Sequence, residues 1–268
     1  MKEVTKLTTR KTNTLRLTES AILIALATVL STLKLFDLPM GGSVTPFSML
    51  PIVIVAYRYG FKWGLTTGAA YGFLQMLLGM DNLQYGATFV AVVCIILFDY
   101  LVAFIPLSFG ALFRDKLGAQ SAELTCGVIF GGIGRYICHF ITGWQIWGIW
   151  APEGTPAHIY SLTYNASYMI PEITITVAAA ILISSVLNFK STQITTVKNT
   201  EAFSATKNIL LKTLGVLFCV GGILFDPIIV RTNPETQILV LILVPIVLVS
   251  IGAIFLLISK IMENSAKK

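Results

Sequence analysis

The chain has 268 residues, 55% hydrophobic and only 12% charged; a soluble domain carries about 25% charged residues, so an ordinary soluble fold is excluded. The apolar residues come in long runs, which points to a membrane protein. The net charge of +6 sits mostly in connections on one side of those runs, so it reads as a topology signal and not as a nucleic-acid footprint.

Residues 1–16 are a polar, basic segment with no small-residue cleavage site, and no secretory signal peptide is evident. Eight membrane helices are predicted after it, at about 19–36, 46–58, 61–80, 86–113, 121–144, 161–188, 208–230 and 236–260. The second is short and contains Pro46 and Pro51, which predicts a broken or tilted helix. The fourth is long and is expected to begin with a separate half-helix near Gly86. Residues 17–188 form a six-helix module. Residues 189–207, FKSTQITTVKNTEAFSATK, read as a flexible cytoplasmic linker. Residues 208–262 carry a C-terminal helical pair, uniformly apolar in its second member, with no polar stripe that signals a site. Cys94, Cys126, Cys138 and Cys219 lie in apolar runs without CxxC spacing, so they read as buried small side chains and not as a zinc or disulfide framework.

Lysine and arginine set the expected orientation. Lys34 and Arg231 lie in the opposite loops and Arg135 within a helix; the other 16 of the 19 basic residues share one side. Both termini are therefore predicted to be cytoplasmic.

Ionisable groups within a membrane span are costly and usually face a cavity or a partner. The six-helix module has four: Asp99, Arg135, His139 and Glu172. Asp99, in ILFDYLVAF, reads as a carboxylate facing a cationic or hydrogen-bonding ligand, with an internal salt bridge as the alternative. Glu172 reads as a structural partner, and Arg135 as its ion-pair mate and not a ligand group. His139 has Gly143 one turn on, which leaves room on the same face, and Trp147 one turn further. Trp144 and Trp150 suit an interfacial belt. The first outer connection, PMGGSVTPFSMLP, bends at membrane depth, which is tolerated where backbone lines a cavity. These features converge on a pocket for a flat, cationic heteroaromatic ligand, held by aromatic faces and a carboxylate. Ala21 and Ala25 form a small-xxx-small face on the first helix, fit for internal packing or for close approach of another helix. The chain has no GxxxxGK[ST] nucleotide loop.

Residues 17–188 resemble the thiamine-specific substrate-binding subunits (ThiT, YuaJ) of energy-coupling factor (ECF) vitamin importers. The likeness is carried by LTESAILIALA, MLPIVIVAYRYGFKWGLTTGAAYGFLQ, FDYLVAFIPLSFGALF and, most specifically, RYICHFITGWQIWGIWAPEGTPAHIYSLTYNASY. The resemblance implies an all-α integral membrane protein, here a six-helix S-component bundle with two additional C-terminal transmembrane helices. It implies a prokaryotic plasma-membrane location and a high-affinity thiamine pocket near the outer surface. The implied partners are a transmembrane coupling subunit and two cytoplasmic ATPases, which use the ATP; the subunit itself needs no cofactor or metal and is not an enzyme. Asp99 matches the family's aminopyrimidine-binding carboxylate, with Tyr100 after it. His139 and Trp147 match ring contacts, and Tyr160 and Asn165 match polar contacts. Tyr71 stands where other members have tryptophan, and Ala21 and Ala25 match the alanine pair that docks on the coupling subunit. The carboxylate is Asp where the family has Glu, Gly42 lies near the position of a first-loop tryptophan, and helices seven and eight have no counterpart. Thiamine is the first choice of ligand, and a related pyrimidine or thiazole compound the next. The competing reading is a stand-alone proton-coupled secondary transporter with Asp99, Glu172 and His139 as its relay.

Overall fold

The computed structural model describes residues 2–197 and Gly215, with side chains from residue 13 onward. The expected C-terminal helical pair lies outside the described residues. Six helices follow one another: α1 (Lys2–Thr32), α2 (Leu50–Tyr59), α3 (Phe61–Leu78), α4 (Phe89–Phe113), α5 (Gln120–Gln145) and α6 (Ala157–Val186). Residues 13–32 of α1 and the whole of α4, α5 and α6 are long and apolar enough to cross a membrane. α2 is a shorter apolar helix, and α3 is more polar, with Lys62, Thr66, Thr67 and Gln75 along it.

α2 is short because it is central. Every residue from Leu50 to Arg58 is buried, which accounts for an apolar pattern without a polar face. Pro51 does not break it. The proline occupies the first turn, where a missing N–H leaves no hydrogen bond unmade. Gly60, at φ 92°, then reverses the chain into α3.

The expected half-helix near Gly86 is absent among the described residues. A 3-10 turn at Met80–Tyr85 comes first, and Thr88 caps α4 by accepting from the Ala91 N–H at 3.1 Å. α4 changes winding along its length: α-helical to Cys94, π-helical over Ile95–Val102, and 3-10 over Ile105–Phe113. Such wide turns often mark functional positions, and Asp99 lies inside this one. α3 approaches α4 closely because a Cβ on Gly68 or Gly72 would sit 2.7 Å from the carbonyl oxygen of Phe104 or Tyr100.

Connections alternate between the two ends of the bundle. At one end are a short hairpin, β1 (Phe36–Asp37) with β2 (Ser43–Val44), and the 3-10 turns Met80–Tyr85 and Trp147–Trp150. At the other end the α2/α3 and α4/α5 turns meet the segment after α6, in which β3 (Leu187–Asn188) pairs with β4 (Thr195–Thr196). Here the expected linker 189–207 is corrected at its start. Phe189 is buried, and Arg58 donates to the carbonyls of Phe189, Ser191 and Thr192 at 2.8, 3.1 and 3.1 Å. Arg58 also meets Glu19 of α1 at 2.6 Å. Lys190 bridges Asp115 at 2.8 Å and the buried Glu123 at 2.9 Å. That ammonium holds the Asp115 carboxyl below its usual range, and Asp115 in turn raises Lys190.

Candidate ligand-binding site

A cavity of about 400 Å³ opens at the hairpin end, within the range usual for small-molecule sites. α1, α3, α4, α5, α6 and the first connection all contribute to its wall. The bent backbone expected there is present: Met40, at φ 65°, and Gly41 to Ser43 line the cavity.

Asp99 is the centre of the polar wall. Its Oδ1 accepts from Thr142 and lies 3.0 Å from His139 Nδ1, while Oδ2 accepts from Trp147 Nε1 at 2.9 Å. Residues from α4, α5 and the turn after α5 thus meet on one carboxylate. Helical spacing puts His139 and Thr142 on one face of α5, and the 3-10 turn swings Trp147 back over it. His139 lines the cavity, and its Nε2 is buried with no hydrogen-bond partner in the protein.

α6 supplies the facing wall. Tyr160, Tyr164 and Tyr168 recur every four residues, with consecutive ring centroids 5.8 Å apart. The Tyr164 hydroxyl donates to the Pro39 carbonyl and accepts from the Gly42 N–H at 3.0 Å, and Tyr160 reaches the Met40 sulfur at 3.6 Å. The column therefore holds the first connection over the cavity. Asn165 donates to the carbonyls of Ser161 and His139 at 2.8 and 3.2 Å and accepts from Tyr168 at 2.7 Å. Gly143 lets α5 and α6 meet: a Cβ there would lie 2.2 Å from Ser161 Oγ. Gly143 also lines the cavity, as expected, while the side of it that a Cβ would occupy is taken by α6. Tyr100 lines the cavity and ties α4 to the end of α3 by donating to the Gly79 carbonyl at 2.9 Å.

Two expectations need correction. Tyr71 does not line the cavity; it is fully buried in the core, edge-on to Phe104, with its hydroxyl 3.4 Å from the Ala27 carbonyl. Arg135 does pair with Glu172, at 3.3 Å, yet it also lines the cavity that it was expected to avoid. Tyr164, Tyr168, Asn82, Gln75 and Thr142 belong to the site and were missed. The four-residue tyrosine spacing in YSLTYNASY was the signal for two of them.

Outside the site, Trp144 and Trp150 are each 46% exposed, as belt residues are, while Trp147 is turned inward. Tyr85 packs against Trp147 and Trp150. Ala21 and Ala25 are exposed on α1 and do not pack internally among the described residues. Among the described residues no three His, Cys, Asp or Glu side chains cluster as metal ligands.

Comparison with known proteins places this geometry. The family model of the thiamine transporter protein (Thia_YuaJ) matches residues 17–194. The thiamine transporter ThiT of Bacillus subtilis (strain 168) is 36% identical over 171 residues, covering 60% of this chain and 85% of that protein. The thiamine transporter ThiT of Lacticaseibacillus paracasei is 25% identical over 173 residues, covering 59% and 79%. The solved structure of ThiT from Listeria monocytogenes superposes with a TM-score of 0.52 at 25% identity, covering 64% of this chain and 92% of that one. The matched region contains α1 from residue 17, the whole of α2 to α6 and every wall of the cavity, and the chain belongs to the thiamine transporter protein family.

Proposed function

We propose that the chain is the substrate-binding membrane subunit of an ATP-driven ECF-type importer and binds thiamine in the cavity at the hairpin end. The observation that carries this reading is the Asp99 cluster, in which one carboxylate gathers His139, Thr142 and Trp147 beside an aromatic column in a chain of this family. A carboxylate with a lone pair to spare accepts from the amino group of the pyrimidine. His139 Nε2 offers the ring a second polar contact. Trp147 and the tyrosine column supply π faces for the thiazolium cation.

The cavity faces the outside of the cell and both termini lie in the cytoplasm. Basic residues support this orientation: Arg58, Arg114 and Lys190 are at the end opposite the cavity. The membrane is the plasma membrane of a prokaryote. The protein hydrolyses nothing itself. A transmembrane coupling subunit, docked on the exposed Ala21 and Ala25 face, and two cytoplasmic ATPases power release to the inside.

Titration of the purified protein with thiamine, read by intrinsic tryptophan fluorescence without ATP or an ion gradient, tests the binding. Quenching that saturates at or below micromolar thiamine is expected, and no quenching in that range overturns it. Ala21→Trp is expected to leave that titration unchanged and to abolish co-purification with the coupling subunit. Uptake by liposomes holding this protein alone, driven by a pH gradient, would replace the importer reading with the secondary-transporter one.

A further inference from the structure

We propose that Glu172, which does not line the cavity, determines its preference for a cation by neutralising Arg135. The proposal rests on the thiamine reading above.

The charges around the cavity decide its sign. Asp99 contributes one negative charge and Arg135 one positive charge, and both line the wall. Lys34 is paired with Asp37 at 2.9 Å in an exposed position, and Asp81 is exposed at the mouth. Water and salt screen those outer groups far more than the inner ones. If Asp99 and Arg135 were the only inner charges they would cancel, and the cavity would offer a cation no net attraction. Glu172 changes the balance. It is 1% exposed, on α6 behind Arg135, with Oε1 3.3 Å from the guanidinium. With the His139 ring beside Asp99 neutral, the inner wall then carries a net charge of minus one.

Arg135 is held for this purpose from two sides. Glu172 meets one end of the guanidinium, and the Phe104 ring lies 4.4 Å from its carbon. Glu172 is fixed in turn by Thr45, which donates to Oε1 at 2.9 Å, and Ser48 at 3.3 Å. These two hydroxyls follow β2, so the same carboxylate ties down the end of the first connection. Two roles thus meet in Glu172: a charge, and an anchor for the loop. They separate experimentally, because the anchor is indifferent to ligand charge and the charge is not.

The test measures affinity for thiamine and for its neutral thiophene isostere, deazathiamine, in which the thiazolium nitrogen is replaced by carbon. The wild-type preference for the cation is the reference. Failure of wild type to bind thiamine would sink the functional reading, whereas the ratio of affinities tests only Glu172. Glu172→Gln keeps the shape and the acceptor for Thr45 and removes the charge. It is expected to cut the thiamine-to-deazathiamine preference on the order of tenfold, as one charge close to the ligand in a low-dielectric wall would. Glu172→Gln with Arg135→Gln returns the inner charge to minus one and is expected to restore the preference. This double variant buries no unpaired charge, which keeps the test open should Glu172→Gln fold poorly. Thr45→Val with Ser48→Ala loosens the anchor, so both affinities are expected to change by the same factor. An unchanged preference in Glu172→Gln, or a double variant that lacks the preference, would overturn the proposal.

Discussion

The two ends of the bundle use buried charge in opposite ways. At the basic end Arg58 spends nearly all its donors inside the chain: three backbone carbonyls and Glu19 Oε2 accept from its terminal nitrogens, and only Nε, 2.6 Å from Glu19 Oε1, makes an ion pair without hydrogen-bond geometry. Arg114 likewise donates to the carbonyls of Tyr57, Arg58 and Lys190 at 3.1, 2.6 and 3.4 Å. At the cavity end His139 Nε2, Arg135 Nε and Glu172 Oε2 are buried without a hydrogen-bond partner in the protein. A guanidinium whose donors are used up inside the chain joins helices to a following segment. Of the residues at the cavity end, His139 and Arg135 line the cavity, and a ligand that pairs with them recovers the cost of leaving them unpaired.

The largest effect expected from this contrast is on stability. Arg58→Ala leaves Glu19 uncompensated and unties residues 189–192, and losing one partner of such a pair costs about 3–5 kcal/mol. Thermal unfolding in detergent should show a large loss, while the protein that remains folded binds thiamine with little change. A large loss of affinity at unchanged stability would erase the division between the ends. Asp99→Ala is the mirror experiment. It removes the acceptor for Thr142 and Trp147 and, with them, the proposed contact to a ligand amino group. A charged hydrogen bond contributes roughly 1.5–3 kcal/mol, so thiamine affinity should fall about 10- to 100-fold, read by the same fluorescence titration. Unchanged affinity would remove Asp99 from the site.

Much of this division was legible in the sequence, and the parts that were not have physical causes. Long apolar runs delimited α3, α5 and α6 to within a few residues, because a span must be apolar along its length. Arg58 is among the 16 basic residues that the sequence places on one side, and yet it is 8% exposed. Basic patterning records which side a residue is on, not what it bonds. The start of the expected linker looked polar and flexible because its order comes from Arg58 and Gln120, more than 65 residues earlier. At the other end, no spacing relates Asp99 to His139 or Trp147; they meet through packing of separate helices, and what joins them in the sequence is the cost of polar groups within a span and the family resemblance. Thr142 went unnoticed because a mid-helix threonine commonly bonds its own helix, as this one also does to the Cys138 carbonyl at 3.1 Å.

A smaller effect is expected where the cavity depends on helix packing. Gly143→Ala places a methyl 2.2 Å from Ser161 Oγ and 2.9 Å from Asn165 Nδ2. Overpacking of this kind costs about 1–3 kcal/mol. Because Asn165 also holds the His139 carbonyl, the strain should appear in both the unfolding temperature and the thiamine affinity. Adding Ser161→Ala removes the shortest contact and should recover part of both. Recovery of stability without affinity would show that Ser161 itself contacts the ligand.

The smallest effect expected separates position in the sequence from position in the cavity. Tyr71 matches a family tryptophan in sequence and stands on α3, the helix that brings Gln75 to the cavity wall. Its own side chain is turned a different way, into the core between α1 and α4, against Phe104 and the Ala27 carbonyl. Tyr71→Phe keeps the ring and its edge-on contact and loses a long hydrogen bond of 3.4 Å to the Ala27 carbonyl and weak contacts with the Ser48 and Ser31 hydroxyls. That bond is at the weak limit of hydrogen-bond geometry, so stability should fall by about 0.5 kcal/mol or less. Thiamine affinity should not change within the precision of the titration. Tyr100→Phe, on the cavity wall and bonded to the Gly79 carbonyl, should weaken binding in the same assay. If Tyr71→Phe weakened binding as much as Tyr100→Phe, the hydroxyl in the core would be acting on the ligand. The boundary between the buried core and the cavity wall would then have to take in the Tyr71 side chain, between Phe104 and the Ala27 carbonyl.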